Sequence, residues 1–329
     1  MIPVAGSERI DSSVAMAAGY HASFFSGIGG FDLGFEKAGL KSVFLCEKKA
    51  FCRRVLAHHW PSIPVYKDIT NVDPFNIPEA DVWSAGFPCQ DLSLARMGPR
   101  AGLRGNQSGL FHDFAALVRA REPKIVVIEN VHGLLTSHRG RDFTIVLKTL
   151  DGLGYGVAWR VLNSQYFGVP QSRKRVYVVA VHRDPEGAGE ILFEPECSDG
   201  DSSQSKRNGK ESPSLFQTIL GNPRTGPLVK GRAHCIYAES ARHTGTDWSR
   251  NYVWYPSGRV RRFIPVEVER VQGFPDDWTD VQVEGREDPD SMRYHAVGNS
   301  VTPQVAEWLG KRIVSYLKAT REDSLRGAA

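Results

Sequence analysis

Residues 21–182 alternate short apolar segments with amphipathic ones, and this alternation restricts the possible folds more than any other feature of the chain. The apolar segments have the length of strands and occupy residues 21–25, 42–46, 80–87, 124–129, 157–163 and 175–181. The segments with apolar residues at helical spacing occupy residues 31–38, 50–59, 109–121 and 142–153. Repeated strand–helix units place helices on both faces of a mostly parallel sheet. The pattern therefore predicts an α/β protein.

The composition favours a globular chain without membrane spans. The 329 residues are 41% hydrophobic and 24% charged, which suits one large domain and a smaller one. No apolar run approaches the roughly 20 residues of a membrane span, and residues 1–20 lack the features of a signal peptide. The cysteines form no C-x-x-C pair, and they are Cys46, Cys52, Cys89, Cys197 and Cys235. We therefore expect a cytoplasmic protein with neither a metal site nor disulfides.

Changes in composition predict five segments. They are an N-terminal extension (1–20), the sheet domain (21–182), an intervening domain (183–262), a segment returning to the sheet domain (263–317) and a tail expected to fray (318–329). Within the intervening domain, residues 198–213 are rich in Ser, Asp, Lys and Gly without periodicity, which predicts a flexible segment.

Residues 221–262 are strongly basic. They contain eight Lys and Arg residues and two acidic residues, a net charge of +6, whereas the whole chain carries +4. Aromatic residues are interleaved with them, namely Tyr237, Trp248, Tyr252, Trp254 and Tyr255. Such a mixture is typical of nucleic-acid surfaces, and a solvated small β domain is the alternative interpretation.

A glycine-rich turn, FFSGIGG at residues 24–30, follows the first predicted strand. Glycine is needed where the backbone turns tightly and a ligand approaches closely. Glu47 ends the second strand twenty positions after Gly27, a spacing at which a carboxylate accepts hydrogen bonds from ribose hydroxyls. Asp68 is a candidate acceptor for an adenine amino group, with a surface turn or helix cap as the alternative. The turn departs from G-x-G-x-x-G at Asp32, and the absence of G-K-[ST] excludes a P-loop.

A cysteine and a glutamate follow two further predicted strands. Cys89 lies in GFPCQ at residues 86–90, and Glu129 begins ENV at residues 129–131. Because ligands bind beyond the carboxyl ends of strands in such sheets, a nucleophile and an acid meet at one edge. An addition–elimination reaction needs that arrangement. A buried structural cysteine and a surface carboxylate are the alternatives.

Six motifs, in this order along the chain, resemble those of the DNA (cytosine-5) methyltransferases. They are FSGIGG (25–30), GFPCQ (86–90), ENV (129–131), QSRKR (171–175), QGFP (272–275) and GNSV (298–301). The resemblance implies an α/β, class I S-adenosylmethionine-dependent methyltransferase fold, Rossmann-like with a mostly parallel sheet. Residues 21–182 would then be the catalytic, S-adenosylmethionine-binding domain. Residues 183–262 would be a small, mainly irregular or β target recognition domain.

The same resemblance implies S-adenosyl-L-methionine as the cofactor, converted to S-adenosyl-L-homocysteine. The residues implied as its contacts are Phe25, Ser26, Gly27, Gly29, Gly30, Glu47, Asp68, Ile69, Leu110, Asn299 and Ser300. Phe25 and Ile69 would enclose the adenine from its two sides.

For the chemistry, the resemblance implies a thiolate adding to carbon 6 of cytosine, so that carbon 5 becomes nucleophilic; after methylation, removal of the carbon 5 proton expels the thiol. Cys89 is the implied nucleophile, and Glu129 would protonate or hydrogen-bond ring nitrogen 3. By analogy with the family, Arg175 would contact the flipped base and Arg173 would support the site. A salt-bridged strand start is the alternative for both arginines.

Double-stranded DNA is the implied substrate, and its target base must leave the stack. Residues 90–107 resemble the family's active-site loop, with candidate DNA contacts at Gln90, Ser93, Arg96, Arg100 and Arg104. Candidate contacts in the recognition domain are Arg224, Arg232, Arg242 and Arg250, some of which must bind phosphate.

The leading hypothesis is a monomeric DNA cytosine-5 methyltransferase from a restriction–modification or related prokaryotic or phage system. A cognate restriction endonuclease would act separately, and the protein would lie in the cytoplasm with the nucleoid. A tRNA cytosine-5 methyltransferase is a rival, although its Cys-Phe-Thr signature is absent. A non-catalytic DNA-binding subunit and an NAD-dependent oxidoreductase are more distant alternatives.

Overall fold

A seven-stranded sheet forms the centre of the computed structural model, which describes residues 17–87, 109–194, 233–236, 251–255, 260–282 and 289–327. Its strands are β1 Gly19–Phe24, β2 Leu40–Cys46, β3 Val65–Tyr66, β4 Val82–Ala85, β5 Ile125–Val131, β6 Tyr155–Asn163 and β7 Lys174–His182. The spatial order is β3-β2-β1-β4-β5-β7-β6. The first five strands are parallel, and β7 is antiparallel to both of its neighbours. The predicted α/β fold with a mostly parallel sheet is therefore confirmed.

Eight α-helices lie in the described part of the chain. They are α1 Gly30–Lys37, α2 Ala50–His59, α3 Leu110–Arg121, α4 Arg141–Gly152, α5 Gly187–Leu192, α6 Pro265–Gln272, α7 Pro289–Asn299 and α8 Pro303–Gly327. The last helix continues to Gly327, through most of the tail that was expected to fray. This extension contacts the domain, because Arg321 lies 3.6 Å from the Asp81 carboxylate.

Helices cover both faces of the sheet, as the alternation of segments predicts. On one face, α3 and α4 enclose an aromatic core in which the Phe24 ring lies 4.8 Å from Trp83 and 5.2 Å from Phe114. On the other face, α1, α5 and α8 pack on the sheet. Helices α1 and α8 approach closely at Gly34, where a Cβ atom would lie 2.4 Å from the Pro303 carbonyl oxygen.

Two segments of the intervening domain pack against the sheet domain. Helix α5, within residues 183–262, contributes Ile191 and Leu192 to the core beneath α8. The strands β8 Tyr252–Trp254 and β9 Val260–Arg262 form a two-stranded antiparallel sheet. Val253 of this small sheet packs in a cluster with residues of α2, α6 and α7.

No helix in the described ranges is both long enough and apolar enough to cross a membrane. Among the same residues, no group of three or more His, Cys, Asp and Glu side chains could hold a metal ion. Cys46, Cys52 and Cys235 are free thiols.

A fully buried polar network joins β1, β2 and β4 to the first turn of α1. The Asp32 carboxylate accepts hydrogen bonds from Ser23 Oγ and Ser42 Oγ, both at 3.0 Å. His21 Nε2 lies 2.7 Å from Ser84 Oγ, and its Nδ1 lies 3.5 Å from Asp32 Oδ1. Burial raises the pKa of Asp32 to about 7 and lowers the pKa of His21 to about 3. The network fixes the start of α1 on the sheet, directly after the glycine-rich turn.

Replacing Asp32 by asparagine should change how stability depends on pH. Since its pKa is raised on folding, the stability that Asp32 contributes is present below about 3.8 and is lost as the pH rises towards 7. His21 has the opposite effect, because its lowered pKa makes stability fall as the pH drops from 6.5 towards 3. In Asp32→Asn only the His21 effect remains.

The unfolding free energy of Asp32→Asn should therefore rise between about pH 4 and pH 6.5, by about 1.4 kcal/mol per pH unit relative to the wild type. Urea unfolding over this range measures it, with the exposed Asp151→Asn as control. Parallel pH profiles for the wild type and Asp32→Asn would contradict the assignment.

Candidate active site

The glycine-rich turn lies at the carboxyl end of β1 with a backbone that most residues cannot adopt. Gly27 and Gly29 have φ angles of 58° and 82°, and Phe25 is also left-handed at 53°. A Cβ atom at Gly29 would lie 2.4 Å from the Trp60 ring, and one at Gly30 would lie 2.4 Å from the Val301 carbonyl oxygen. The glycines are therefore required by both conformation and packing.

Ser26 and Glu47 connect this turn to the end of β2. Ser26 Oγ donates to the Ser23 carbonyl oxygen at 3.0 Å and accepts from the Cys46 amide at 3.1 Å. The Glu47 carboxylate accepts from the amides of Gly27 and Lys49, each at 2.8 Å. Burial raises the pKa of Glu47, and these two amides oppose the shift. The structure thus brings Glu47 into contact with the glycine-rich turn, as the spacing between Gly27 and Glu47 predicts.

Asp68 has the contacts of a helix cap. Its carboxylate accepts from the amide of Thr70 at 3.2 Å, and Lys48 Nζ lies 3.1 Å away. The Thr70 amide is the main cause of the lowered pKa of Asp68. The neighbouring Ile69 is buried in the core on the α3 face, and the partly buried Phe25 packs against the same core. Leu110, the first residue of α3, also borders this core.

Glu129 and Arg175 form a largely buried ion pair across β5 and β7. Arg175 Nε lies 3.1 Å from Glu129 Oε1. The register places Val131 opposite Arg175, so both side chains lie near the carboxyl end of β5. Burial raises the pKa of the Glu129 carboxyl, and the positive charges of Arg175 and Arg173 oppose that shift. The site therefore holds a carboxyl group whose proton affinity is set by these opposing effects.

The chain that leads to Cys89 begins beside this ion pair. Glu129 Oε2 lies 3.7 Å from where a Cβ atom of Gly86 would be, and Asn130 Nδ2 donates to the Phe87 carbonyl oxygen at 3.4 Å. The end of β4 is thus attached to the ENV motif. The predicted site residues outside the described ranges are Cys89, Gln90, Ser93, Arg96, Arg100, Arg104, Arg224, Arg232, Arg242 and Arg250.

Arg173 is a buried connector. Only 1% of it is exposed, and it donates to the carbonyl oxygens of Ile236 (3.0 Å), Gly298 (3.1 Å) and Ser300 (2.9 Å). Burial lowers the pKa of its guanidinium. Its hydrogen bonds go to backbone carbonyls of other segments, so the alternative of a salt-bridged strand start does not describe them.

Two glutamines support the same junction. Gln171 Nε2 donates to Gln272 Oε1 at 2.7 Å, and Gln171 Oε1 accepts from the Ile236 amide at 2.9 Å. Gln272 Nε2 in turn donates to the Ser300 carbonyl oxygen at 2.8 Å. The QSRKR, QGFP and GNSV motifs therefore meet in one buried hydrogen-bond network.

The GNSV motif lies against the glycine-rich turn. Ser300 is buried, and its Oγ would lie 2.8 Å from a Cβ atom at Gly30. Asn299 is exposed, and its Nδ2 donates to the His295 carbonyl oxygen at 3.0 Å. Asn299 and Ser300 thus belong to the C-terminal segment that packs against the glycine-rich turn.

Two contacts of the site were not predicted from the sequence. Cys235 Sγ lies 3.6 Å from Arg173 Nη1 and 4.0 Å from both terminal nitrogens of Arg175. Trp278 donates from Nε1 to the Ile28 carbonyl oxygen of the glycine-rich turn at 2.9 Å. Neither partnership has a sequence signal, because each joins residues far apart in the chain.

The fold is shared with known methyltransferases. The Entamoeba histolytica methyltransferase EhMeth covers 91% of this chain and 97% of its own, with a TM-score of 0.64 and 18% identity. The S. pombe Dnmt2 methyltransferase covers 92% and 99%, with a TM-score of 0.63 and 16% identity. At these identities the likeness establishes the fold alone, and the predicted class I methyltransferase fold is confirmed.

The sequence assigns the family. The C-5 cytosine-specific DNA methylase model matches residues 21–222 and 200–315, and the chain belongs to that family. Type II methyltransferase M.NgoBI of Neisseria gonorrhoeae is 35% identical over 321 residues, which cover 91% of this chain and 94% of that protein. Type II methyltransferase M2.BsuMI of Bacillus subtilis (strain 168) is 32% identical over 301 residues, covering 88% and 74%. The predicted enzyme class, a DNA (cytosine-5) methyltransferase, is therefore confirmed.

The buried contacts of Arg173 lead to a prediction about stability. Arg173→Met keeps much of the side-chain volume but leaves three buried carbonyl groups without this donor, so the unfolding free energy should fall by about 3 kcal/mol or more. Lys174→Met, at an exposed position next to it, should change stability by less than about 0.5 kcal/mol. Urea unfolding of both variants tests this, and equal losses would refute the buried role.

Proposed function

We propose that this enzyme transfers a methyl group from S-adenosyl-L-methionine to carbon 5 of cytosine in double-stranded DNA, through a covalent adduct of Cys89 with a flipped base. The observation that carries the proposal is the buried Glu129–Arg175 ion pair beside Gly86, three residues before Cys89. Membership of the DNA methylase family supports the substrate class. Residues 183–262 would recognise the target sequence.

Glu129 would supply the proton that makes the addition possible. A free thiol is only a few per cent ionised at neutral pH, so attack by Cys89 on carbon 6 needs a coupled proton transfer to ring nitrogen 3. Burial raises the pKa of Glu129 and favours the protonated carboxyl that donates this proton. The adjacent Arg175 stabilises the carboxylate that remains and would also contact the flipped base.

The residues around the glycine-rich turn fit a nucleoside cofactor. Glu47 is held at the turn by two amides, and each carboxylate oxygen keeps a further lone pair that can accept from a ribose hydroxyl. Asp68 would accept from the adenine amino group, and Phe25 and Ile69 would enclose the ring. Ser26, Gly27, Gly29, Gly30, Leu110, Asn299 and Ser300 complete the proposed contacts. S-adenosyl-L-methionine, when bound, supplies an electrophilic methyl group.

DNA binding would involve two further sets of residues. Gln90, Ser93, Arg96, Arg100 and Arg104 are proposed to contact DNA around the extruded base, whose flipping costs a few kcal/mol. The residues proposed to bind phosphates or bases in the recognition domain are Arg224, Arg232, Arg242 and Arg250. We further propose that the protein acts as a monomer, with any cognate restriction endonuclease acting separately.

Transfer of tritium from labelled S-adenosyl-L-methionine to mixed-sequence duplex DNA tests the proposal. Cys89→Ser should abolish transfer, and Glu129→Gln should lower kcat by about 10²- to 10⁴-fold because the proton donor is lost. Cys197→Ser, outside the six motifs, should keep the wild-type rate. Wild-type rates in Cys89→Ser, or preferential transfer to tRNA in a competition assay, would overturn the proposal.

The role of Glu47 can be tested through the cofactor. Glu47→Gln removes a charged acceptor, so the Kd for S-adenosyl-L-methionine should rise about 10- to 100-fold, as expected from losing a hydrogen bond to a charged group. Titration calorimetry measures this, with the exposed Glu79→Gln as a matched control. An unchanged Kd in Glu47→Gln would remove this residue from the cofactor site.

A further inference from the structure

A short left-handed turn follows β5 at the edge of the sheet that carries Glu129. This turn, Ser137–Gly140, contains three consecutive residues with positive φ, namely His138 at 45°, Arg139 at 60° and Gly140 at 84°. The first two are L-residues with side chains, which rarely adopt this conformation. Such conformations persist where surrounding contacts impose them, and they are frequent at functional sites.

The surrounding contacts come from the start of α4. The buried Asp142 carboxylate accepts hydrogen bonds from Ser137 Oγ and from His138 Nδ1, the latter at 2.9 Å. Thr144 Oγ1 donates to the Gly140 carbonyl oxygen at 3.0 Å. The base of the turn is therefore attached to the domain, and its conformation does not depend on Arg139.

The turn and the first residue of α4 present positive charge to solvent. Arg139 and Arg141 are both exposed. Between Val131 and Asp151 the sequence contains a single acidic residue, the buried Asp142. This surface therefore carries two guanidinium groups without an exposed acidic group in the same segment.

Topology places this surface beside the proposed catalytic residues. Glu129 lies two residues before the end of β5 at Val131. The chain then passes through only the short 3-10 turn His132–Leu135 before it reaches Ser137. Strand β4, parallel to β5, ends at the same edge and leads to Cys89. A duplex whose base reaches this edge would approach the sheet on the side where the turn lies.

We propose that Arg139 and Arg141 form a phosphate-binding site for the backbone of the DNA substrate. This inference rests on the proposed function and adds to it a contact outside both the active-site loop and the recognition domain. Guanidinium groups bind phosphate oxygens in pairs of parallel hydrogen bonds, and a backbone held by the contacts of Asp142 and Thr144 has less freedom to lose on binding.

Two arginines at the opposite edge of the sheet provide a matched control. Arg183 follows β7, is exposed and also has a positive φ of 57°. Arg119 is an exposed residue in the last turn of α3, as Arg141 is an exposed residue in α4. The test variant is Arg139→Asn with Arg141→Gln, and the control is Arg183→Asn with Arg119→Gln. Asparagine tolerates the left-handed conformation, and the charge change is the same in both.

Binding of a mixed-sequence duplex is measured at several salt concentrations, together with methyl transfer at saturating DNA. In the test variant we expect at least a five-fold higher Kd, and a salt dependence whose slope is lower by about 0.9 for each phosphate that the protein no longer binds. The kcat at saturating DNA and the KM for S-adenosyl-L-methionine should stay within two-fold of the wild type. The control variant should match the wild type in all of these values.

Equal Kd values and equal salt slopes for the test and control variants would overturn the inference. If the wild-type enzyme methylates DNA in the same experiment, the proposed function stands. A wild-type protein that neither binds nor methylates duplex DNA would instead overturn the proposed function, and this inference with it. Thermal unfolding of both variants checks that a loss of affinity does not come from a loss of fold.

Discussion

The arrangement of the site depends on the buried guanidinium group of Arg173. It binds carbonyl oxygens of Ile236, Gly298 and Ser300, which belong to segments separated by more than sixty positions in the chain. A charge removed from water is tolerated only where such acceptors surround it, so the arginine and the three carbonyls require one another. Through Ser300, which lies against Gly30, the same junction reaches the glycine-rich turn. The guanidinium group of Arg173 thus connects the QSRKR motif to the glycine-rich turn, where the cofactor is proposed to bind.

Two buried carboxyl groups show how their surroundings determine different roles. Asp32 is surrounded by serine hydroxyls and a histidine that is neutral at pH 7, so burial governs its pKa and its contribution is structural. Glu129 is 8% exposed and faces Arg175 at 3.1 Å, so burial favours its protonated form while the guanidinium favours its ionised form. This balance suits the proton transfer proposed for Glu129. Glu129 also lies near the carboxyl end of β5, whereas Asp32 is fully buried in the first turn of α1.

Much of the fold follows from local patterns. The predicted strands and the first four helices agree with the structure to within a few residues, because apolar periodicity is a property of neighbouring positions. The pairing of Glu47 with Gly27 also follows, since the ends of adjacent parallel strands meet. The extension of α8 to Gly327 did not follow, because its attachment through Arg321 and Asp81 joins residues 240 positions apart in the chain. The thiol of Cys235 beside Arg173 and Arg175 was missed for the same reason.

The sequence by itself determined the order of the elements, the glycine-rich turn, the family and the candidates for nucleophile and acid. These features follow from residue types and from short spacings between them, which can be read from the sequence before the chain folds. Only the tertiary structure decided that Arg173 is a buried connector, that Arg175 is the partner of Glu129, and that Arg139 and Arg141 share the edge of Glu129. Each of these contacts depends on which polar groups are buried against one another, and that is decided when segments distant in the chain pack together.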